Sequence, residues 1–270
     1  MNRRRIGVLG LPWDGASSFQ RGPAEAPAAI RQAFRSQHSN QWAERGFDTG
    51  AAEAWHDLGD LALPDDAAEC RTAVEAGVAR ALEQDFTPLL LGGDHSLSYP
   101  ILRAFKGRRG SFQILHFDAH SDLYDHLEGD RYSHACPFAR VLEEGLAAGM
   151  TQVGIRTMNG HQREQAERFG VKVHYASEWD GRMDLNPELP IYVSLDVDVL
   201  DPAFAPGVSN REAGGLSTRE LIDALRRISG PVIGADLVEF NPRTDVAGLT
   251  AVVTGKLFKE MIGLLLECGA

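Results

Sequence analysis

The chain has 270 residues, of which 43% are hydrophobic, and no stretch of its composition marks a linker or a second core. This length and composition predict a single α/β domain spanning residues 1–270. The formal net charge of −11 argues against a nucleic-acid partner, because phosphate binding needs clustered Lys and Arg. An acidic protein can instead attract cationic small molecules.

The cysteines and the start of the chain predict the compartment. Cys70, Cys136 and Cys268 have neither the count of a disulfide framework nor the spacing of a metal site. The start M-N-R-R-R lacks the apolar core of a signal peptide, and no apolar run approaches the ~20 residues that span a bilayer. We therefore expect a cytoplasmic protein with no membrane partner.

Apolar runs alternate with amphipathic stretches along the chain. The predicted strands are Arg5–Leu9, Phe86–Leu91, Phe112–Phe117, Gln152–Ile155, Val171–Tyr175, Ile191–Leu195 and Val232–Leu237. The predicted helices are Ala26–Phe34, Ala67–Gln84, Leu97–Phe105, Cys136–Ala148, His161–Phe169, Thr218–Ile228 and Gly248–Leu266. This order predicts a mostly parallel sheet covered by helices on both faces, with ligands at the carboxyl ends of its strands.

Six potential metal ligands follow directly after three of the predicted strands. They lie in G-G-D-H-S, D-A-H-S-D and S-L-D-V-D, and they are His95, Asp118, His120, Asp122, Asp196 and Asp198. In an extended stretch every second side chain faces the same way, so each doubled motif would present its ligands to one point. Isolated acidic residues at strand ends are ordinary turn and cap chemistry, but three such clusters after buried strands predict a metal site.

The ligand types indicate which metal the site would hold. Four aspartates and two histidines form a hard oxygen and nitrogen shell that suits Mn(II), and no thiolate favours zinc. Two cations about 3.5–4 Å apart can share a water and lower its pKa, which is the chemistry of a hydrolase. Two further histidines lie close by: we interpret His116 as a core residue or a support for a ligand, and His126 as part of a solvated loop.

The chain resembles the ureohydrolase family, which contains the arginases and agmatinases. The resemblance rests on F-D-A-H-S-D at 117–122, S-L-D-V-D-V-L-D-P at 194–202, G-G-L-S-T-R-E at 214–220 and A-D-L-V-E-F-N-P at 235–242, together with G-G-D-H-S at 92–96. It implies a three-layer α/β/α fold and a dinuclear manganese centre that hydrolyses a guanidino group to urea and an amine. Nickel or cobalt could replace manganese.

The resemblance also implies which residues would hold each ion. One ion would be held by His95, Asp118, Asp122 and Asp196, and the other by His120, Asp118, Asp196 and Asp198. Asp118 and Asp196 would then bridge the two ions.

The same resemblance implies roles for residues around the metals. Glu239 would grip the substrate guanidinium through two parallel hydrogen bonds. His134 would shuttle a proton to the leaving amine, and Asp198 would accept a hydrogen bond from the nucleophile. Asp236 would orient a metal-bound imidazole, and Asp201 is either a similar support or a turn residue.

The substrate is less clear from the sequence. Tyr124 stands where arginases have an Asn, and T-M-N-G at 157–160 replaces an acidic pattern, so arginine is disfavoured. The acidic side chains of Asp125, Glu128 and Asp130 would suit the ammonium of agmatine. Arginines that could instead bind the carboxylate of an ω-guanidino acid are Arg131, Arg156 and Arg163. Agmatine is the first candidate, and guanidino acids, formiminoglutamate and free guanidine follow.

Two other classes of protein remain as alternatives. A catalytically silent relative would normally have lost a ligand, and none is missing. A mononuclear zinc deacetylase would have no use for His95 or the doubled carboxylates. The resemblance further implies a homo-oligomer, either a trimer or a hexamer.

Overall fold

Eight parallel strands form one sheet at the centre of the chain. The computed structural model describes residues 5–37 and 39–269, so residues 1–4 of the basic start lie outside it. The strands are β1 (Arg5–Gly10), β2 (His56–Asp60), β3 (Phe86–Leu91), β4 (Gln113–Phe117), β5 (Gly149–Ile155), β6 (Lys172–Tyr175), β7 (Ile191–Asp196) and β8 (Val232–Val238). Their order across the sheet is β2-β1-β3-β8-β7-β4-β5-β6, and every neighbouring pair is parallel.

Within residues 5–37 and 39–269, seven α-helices cover the two faces of the sheet. They are α1 (Ala26–Phe34), α2 (Ala67–Glu83), α3 (Ser98–Phe105), α4 (Pro137–Glu143), α5 (Gly160–Phe169), α6 (Thr218–Arg227) and α7 (Leu249–Cys268). α7 packs against α1 and α6, and α3 packs against α2 and α4, which gives one group of helices on each face. Two separate apolar clusters fill the layers between helices and sheet. The predicted α/β/α architecture is therefore confirmed.

Three elements differ clearly from the sequence-based expectation. The edge strand β2 was not predicted, because its sequence H-D-L-G-D is polar and mostly exposed. The predicted helix over 136–148 is shorter and ends at Glu143, because Gly145 turns the chain in the left-handed region with φ 59°. Strand β5 consequently begins at Gly149, three residues earlier than expected.

The central strands place the motifs at one edge of the sheet. β3, β8, β7 and β4 are neighbours, and every residue in them is buried. Since all four run parallel, the segments that follow them meet at the same edge. The loop that follows β1 joins them there, because β1 lies next to β3. Within the described residues, no helix combines the length and the apolar character needed to cross a membrane.

Candidate metal centre and substrate cavity

His95 lies at the centre of the first group of predicted ligands. Its Nδ1 is 3.2 Å from Oδ2 of Asp118, 3.1 Å from Oδ2 of Asp122 and 3.2 Å from Oδ2 of Asp196. The histidine begins a short 3-10 turn after β3, and the three aspartates come from the ends of β4 and β7. All four side chains are at least nine-tenths buried. They form the set expected for one of the two ions.

The second group is built around His120. Its Nδ1 is 3.0 Å from Oδ2 of Asp198 and 3.5 Å from Oδ1 of Asp118. Asp118 thus turns one carboxylate oxygen to each histidine, as a bridging ligand would. Asp196 also touches both groups, because its Oδ1 accepts the backbone N–H of Asp198 at 2.8 Å while its Oδ2 faces His95.

Several features of these residues fit divalent cations. Nδ1 of His95 is buried and makes no hydrogen bond, although three carboxylates surround it. Burial and the neighbouring carboxylates hold the pKa of Asp196 well above its ordinary value, and burial also raises the pKa of Asp198. Burial lowers the pKa of His95, but the adjacent carboxylates of Asp118, Asp122 and Asp196 outweigh burial and raise this pKa. Such a concentration of buried negative charge calls for a compensating cation.

His116 is close to the first group, and it forms a candidate metal triad with His95 and Asp118. Its Nε2 lies 2.8 Å from Oδ2 of Asp118, and its Nδ1 lies 3.1 Å from the side-chain amide of Gln152. Both ring nitrogens therefore have partners, whereas Nδ1 of His95 has none. Of the two histidines, His95 is thus the one whose ring nitrogen is left available to a metal, and His116 contacts the carboxylate of Asp118. His126 is exposed, in agreement with a solvated loop.

The route by which the ligands converge differs from the expectation. Residues 118–122 do not continue as a strand, and Asp122 has φ 51°, in the left-handed region that Asp tolerates better than most residues. Likewise, Asp198 lies in a 3-10 turn over Val197–Val199 rather than in an extended stretch. The predicted ligands thus lie close together, but the backbone brings them together through turns and not through the alternation of a strand.

A buried chain of hydrogen bonds holds the His95 ring on the side opposite Nδ1. Its Nε2 lies 3.1 Å from Oγ of Ser194, and Ser194 donates to Oδ1 of Asp236 at 2.7 Å. Asp236 therefore acts on the imidazole through a serine rather than directly. Asp201 has a different position, because its carboxylate accepts backbone N–H groups of Ala203 and Gly214 and organises a turn.

Glu239 and His134 lie above the predicted metal ligands in a cavity of about 210 Å³. Glu239 is buried and follows β8 with φ 64°, a left-handed conformation that is uncommon for a residue with a side chain. Its Oε1 accepts the backbone N–H of His95 at 2.8 Å and lies 3.4 Å from Nδ1 of His134. The two residues thus share one wall of the cavity, which also contains His120, Asp122, Asp196 and Asp198.

The other ring nitrogen of His134 contacts a residue that the sequence did not single out. Its Nε2 lies 2.8 Å from Oγ of Ser18, in the loop after β1. Burial lowers the pKa of His134, but the hydrogen bond and charge of Glu239 outweigh burial and raise this pKa to about 9. The signal for Ser18 was available, because D-G-A-S-S-F at 14–19 follows a buried strand at the same edge of the sheet.

Gly93 and Asp94 of the G-G-D-H-S motif hold this loop against the site. A Cβ on Gly93 would lie 1.7 Å from the carbonyl oxygen of Trp13, so only glycine allows this close approach. Asp94 accepts the backbone N–H of Ala16 at 2.8 Å. The motif therefore positions both His95 and the loop that carries Ser18.

The outer wall of the cavity is polar but uncharged. It contains Tyr124, Thr157, Gln162 and Asn210, together with Ala135 and Leu127. The Tyr124 ring stacks on His161 with 6.0 Å between centroids, and its hydroxyl accepts from Asn159. Thr157, Gln162 and Asn210 were not among the predicted site residues, and only their positions in loops at the sheet edge could have indicated them.

The acidic residues that were expected to bind the ammonium end of the substrate do not line this cavity. Asp125 pairs instead with Arg131 and Arg140, and Glu128 and Asp130 are exposed. These contacts argue against the expectation that the acidic loop receives an ammonium group.

The arginines expected to bind a carboxylate also have other partners. Arg131 binds Asp125 and Glu143, while Arg156 donates to the carbonyl oxygens of Asp198 and Leu200. Arg163 donates to the carbonyl oxygen of Met158. None of these three arginines lines the cavity, which weakens the argument for a guanidino acid.

Comparison with known proteins shows which family the chain resembles. The model of the arginase family matches residues 4–263. Arginase 1 of Arabidopsis thaliana, a mitochondrial protein, is 43% identical over 94% of this chain and 79% of its own length. The agmatinase of Bacillus cereus is 32% identical over 96% of this chain and 91% of its own. The solved arginase of Medicago truncatula superposes with a TM-score of 0.93 at 38% identity, over 97% of this chain and 87% of that one.

Proposed function

Since the chain belongs to the arginase family, whose members hydrolyse guanidino C–N bonds, we propose that it releases urea from arginine with two Mn(II) ions per subunit. One observation carries this proposal: two histidine–carboxylate groups share the buried Asp118, and three of their aspartates line the same cavity as Glu239 and His134. A binding protein would not need this combination of a shared carboxylate, a guanidinium partner and a proton donor.

The uncharged outer wall favours arginine over the agmatine that the sequence suggested first. The α-amino and α-carboxylate groups of arginine carry opposite charges, so hydroxyl and amide side chains can satisfy them without an ionic partner. Thr157, Gln162 and Asn210 offer such groups. An agmatine ammonium or a guanidino-acid carboxylate would bring a net charge to the same wall.

Agmatine remains the second candidate because of Tyr124. Its ring lines the cavity, and an aromatic face attracts an ammonium group. The relative named agmatinase also supports this candidate. Guanidino acids, formiminoglutamate and guanidine rank below both.

The predicted metal ligands have defined roles in this proposal. Two bound cations would supply Lewis acidity and lower the pKa of a water that they share. His95, Asp118, Asp122 and Asp196 would hold one cation, and His120, Asp118, Asp196 and Asp198 the other.

Three residues that line the cavity would bind the substrate and transfer protons. Glu239 would orient the guanidinium by paired charge-assisted hydrogen bonds. His134 would give a proton to the departing amine, for which its raised pKa suits it. Asp198, which faces the cavity, would accept a hydrogen bond from the attacking water.

The decisive experiment is a urea-release assay of the manganese-loaded protein. The panel is arginine, agmatine, guanidinobutyrate, guanidinopropionate, formiminoglutamate and guanidine. We expect the highest kcat/KM for arginine, and Asn210→Ala should raise KM for arginine more than for agmatine. A higher kcat/KM for agmatine would reverse the order of the two candidates, and no urea from any compound would refute the proposal.

Metal stoichiometry separates the alternative classes. Two ions per chain support hydrolysis of a guanidino compound, whereas one ion would support a mononuclear deacetylase. The same samples, tested by size-exclusion with light scattering, would check our further proposals of a trimeric or hexameric assembly. Fractionation of cells would check the proposed cytoplasmic location.

A further inference from the structure

We propose that Ser18 is a positioning residue for His134, holding its imidazole in the orientation needed for proton transfer. This inference rests on the proposed function, in which His134 protonates the leaving amine. The observation behind it is the 2.8 Å separation between Oγ of Ser18 and Nε2 of His134 at the mouth of the cavity.

The two contacts of His134 together fix the plane of its ring. Nδ1 faces Oε1 of Glu239 at 3.4 Å, and Nε2 faces the Ser18 hydroxyl. When the imidazole is protonated, both nitrogens donate, and a carboxylate and a hydroxyl oxygen are matching acceptors. Rotation of the ring would break the hydrogen bond to Ser18 and the contact with Glu239 at once. Ser18 therefore selects one orientation of a side chain that is itself nine-tenths buried.

The backbone around Ser18 is held rigidly enough to act in this way. The N–H of Ala16 donates to the buried carboxylate of Asp94, and the carbonyl oxygen of Gln20 accepts from the hydroxyl of Ser209. The next residue, Arg21, is fixed by its carbonyl oxygen, which accepts from the side chain of Asn241. These hydrogen bonds lie on both sides of Ser18 in the sequence. They hold the loop in place and thereby fix the position of the Ser18 hydroxyl.

Ser17 provides a matched control on the same loop. Its hydroxyl lies 3.5 Å from Asp94 and not at His134, and Ser17 does not line the cavity. A change that acted only by loosening the loop would affect Ser17→Ala and Ser18→Ala alike. A change that acts through the imidazole would affect Ser18→Ala alone.

The test compares Ser18→Ala, Ser18→Thr, Ser17→Ala, His134→Asn and the double variant Ser18→Ala/His134→Asn in the manganese-loaded protein. We expect Ser18→Ala to lower kcat about 10- to 100-fold, the range for loss of one hydrogen bond to a charged group, with KM changed less than about 2-fold. Ser18→Thr keeps the hydroxyl and should recover most of the rate. Ser17→Ala should match the parent protein.

The double variant tests whether Ser18 acts through His134. We expect it to be no slower than His134→Asn alone, because the imidazole that Ser18 positions is already gone. An unchanged kcat in Ser18→Ala, a Ser18→Thr variant as slow as Ser18→Ala, or a further loss in the double variant would overturn the inference while leaving the proposed function intact. An unchanged kcat in His134→Asn would overturn the role of His134 itself. Manganese content and thermal unfolding of each variant exclude a folding defect.

Discussion

Ser194 and Asp236 stand opposite each other on β7 and β8, and the Ser194 hydroxyl donates to Oδ1 of Asp236 over 2.7 Å. The second oxygen of Asp236 accepts from the hydroxyls of Ser98 and Tyr192. A fully buried carboxylate is thus satisfied by three hydroxyl donors, one of which also meets Nε2 of His95. Such a chain fixes the ring and leaves Nδ1 turned toward the carboxylates.

This chain leads to the first prediction, which concerns metal affinity. Ser194→Ala should weaken manganese binding about 10- to 100-fold, because supports of metal-bound imidazoles typically contribute this much. Competition with a metal-sensitive chelator measures the affinity. Tyr192→Phe is the matched control, since it removes a donor to Asp236 without touching the contact to His95. Equal losses of manganese affinity in the two variants would mean that the Asp236 carboxylate stabilises the core in general, and that the contact between Ser194 and the His95 imidazole has no special effect.

The second prediction concerns removal of the metal. Addition of Mn(II) at about 100 times its dissociation constant should stabilise the chelator-treated protein by about 2.7 kcal/mol for each site, or several degrees in Tm. Asp118→Asn should lose this stabilisation, because Asp118 faces both histidine groups. Differential scanning calorimetry with and without Mn(II) is the measurement. A Tm that does not respond to Mn(II) would show that the carboxylates are stabilised in another way.

The third prediction separates His95 from His116 as ligands. His95→Asn should lower the bound metal from two ions to one per chain, whereas His116→Asn should retain two ions with weaker binding. The reason is that both ring nitrogens of His116 already have partners. Elemental analysis of the purified, dialysed variants gives the count. Loss of one ion in His116→Asn alone would exchange the roles of the two histidines.

The convergence of the predicted metal ligands could be foreseen from the sequence because these residues follow buried strands. Once β3, β4 and β7 run parallel side by side or nearly so, the residues after them must meet, whatever the local backbone does. The backbone itself was not predictable: Asp122 and Glu239 adopt positive φ values that depend on the packing of neighbouring segments. Glu239 and His134 were named only through the resemblance to the ureohydrolases.

The outer parts of the cavity were predicted less well, for a physical reason. Ser18 and Asn210 lie in loops, whose course depends on distant contacts such as those of Asp94 and Asn241. The loop with Asp125, Glu128 and Asp130 was equally hard to predict from the sequence. Charged residues that are close to the site in sequence can be neutralised by partners elsewhere in the chain. Asp125, which forms ion pairs with Arg131 and Arg140, is an example.

The fourth prediction follows from these ion pairs. Asp125→Asn should change KM for agmatine less than about 2-fold, in contrast to the sequence-based expectation, because its carboxylate does not line the cavity. It should instead destabilise the protein by no more than about 1 kcal/mol, since Arg140 would lose one charged partner but would keep Glu143. Steady-state kinetics and urea denaturation measure the two effects. A 10-fold rise in KM for agmatine would restore the acidic loop as a binding element.

The fifth prediction concerns Gly93, where the backbone of the motif meets the loop after β1. Gly93→Ala should destabilise the protein by about 3 kcal/mol or more, because the added Cβ would overlap the carbonyl oxygen of Trp13. It should also lower kcat, since the carbonyl oxygen of Gly93 accepts the N–H of Glu239 and a shift would move the guanidinium partner. Gly160→Ala is the matched control: no atom lies within 4 Å of its Cβ, and its stability should change by no more than about 0.5 kcal/mol. Urea denaturation followed by urea-release kinetics distinguishes the two effects. If Gly93→Ala were as stable and as active as Gly160→Ala, the close approach of the two segments would not be what positions the site.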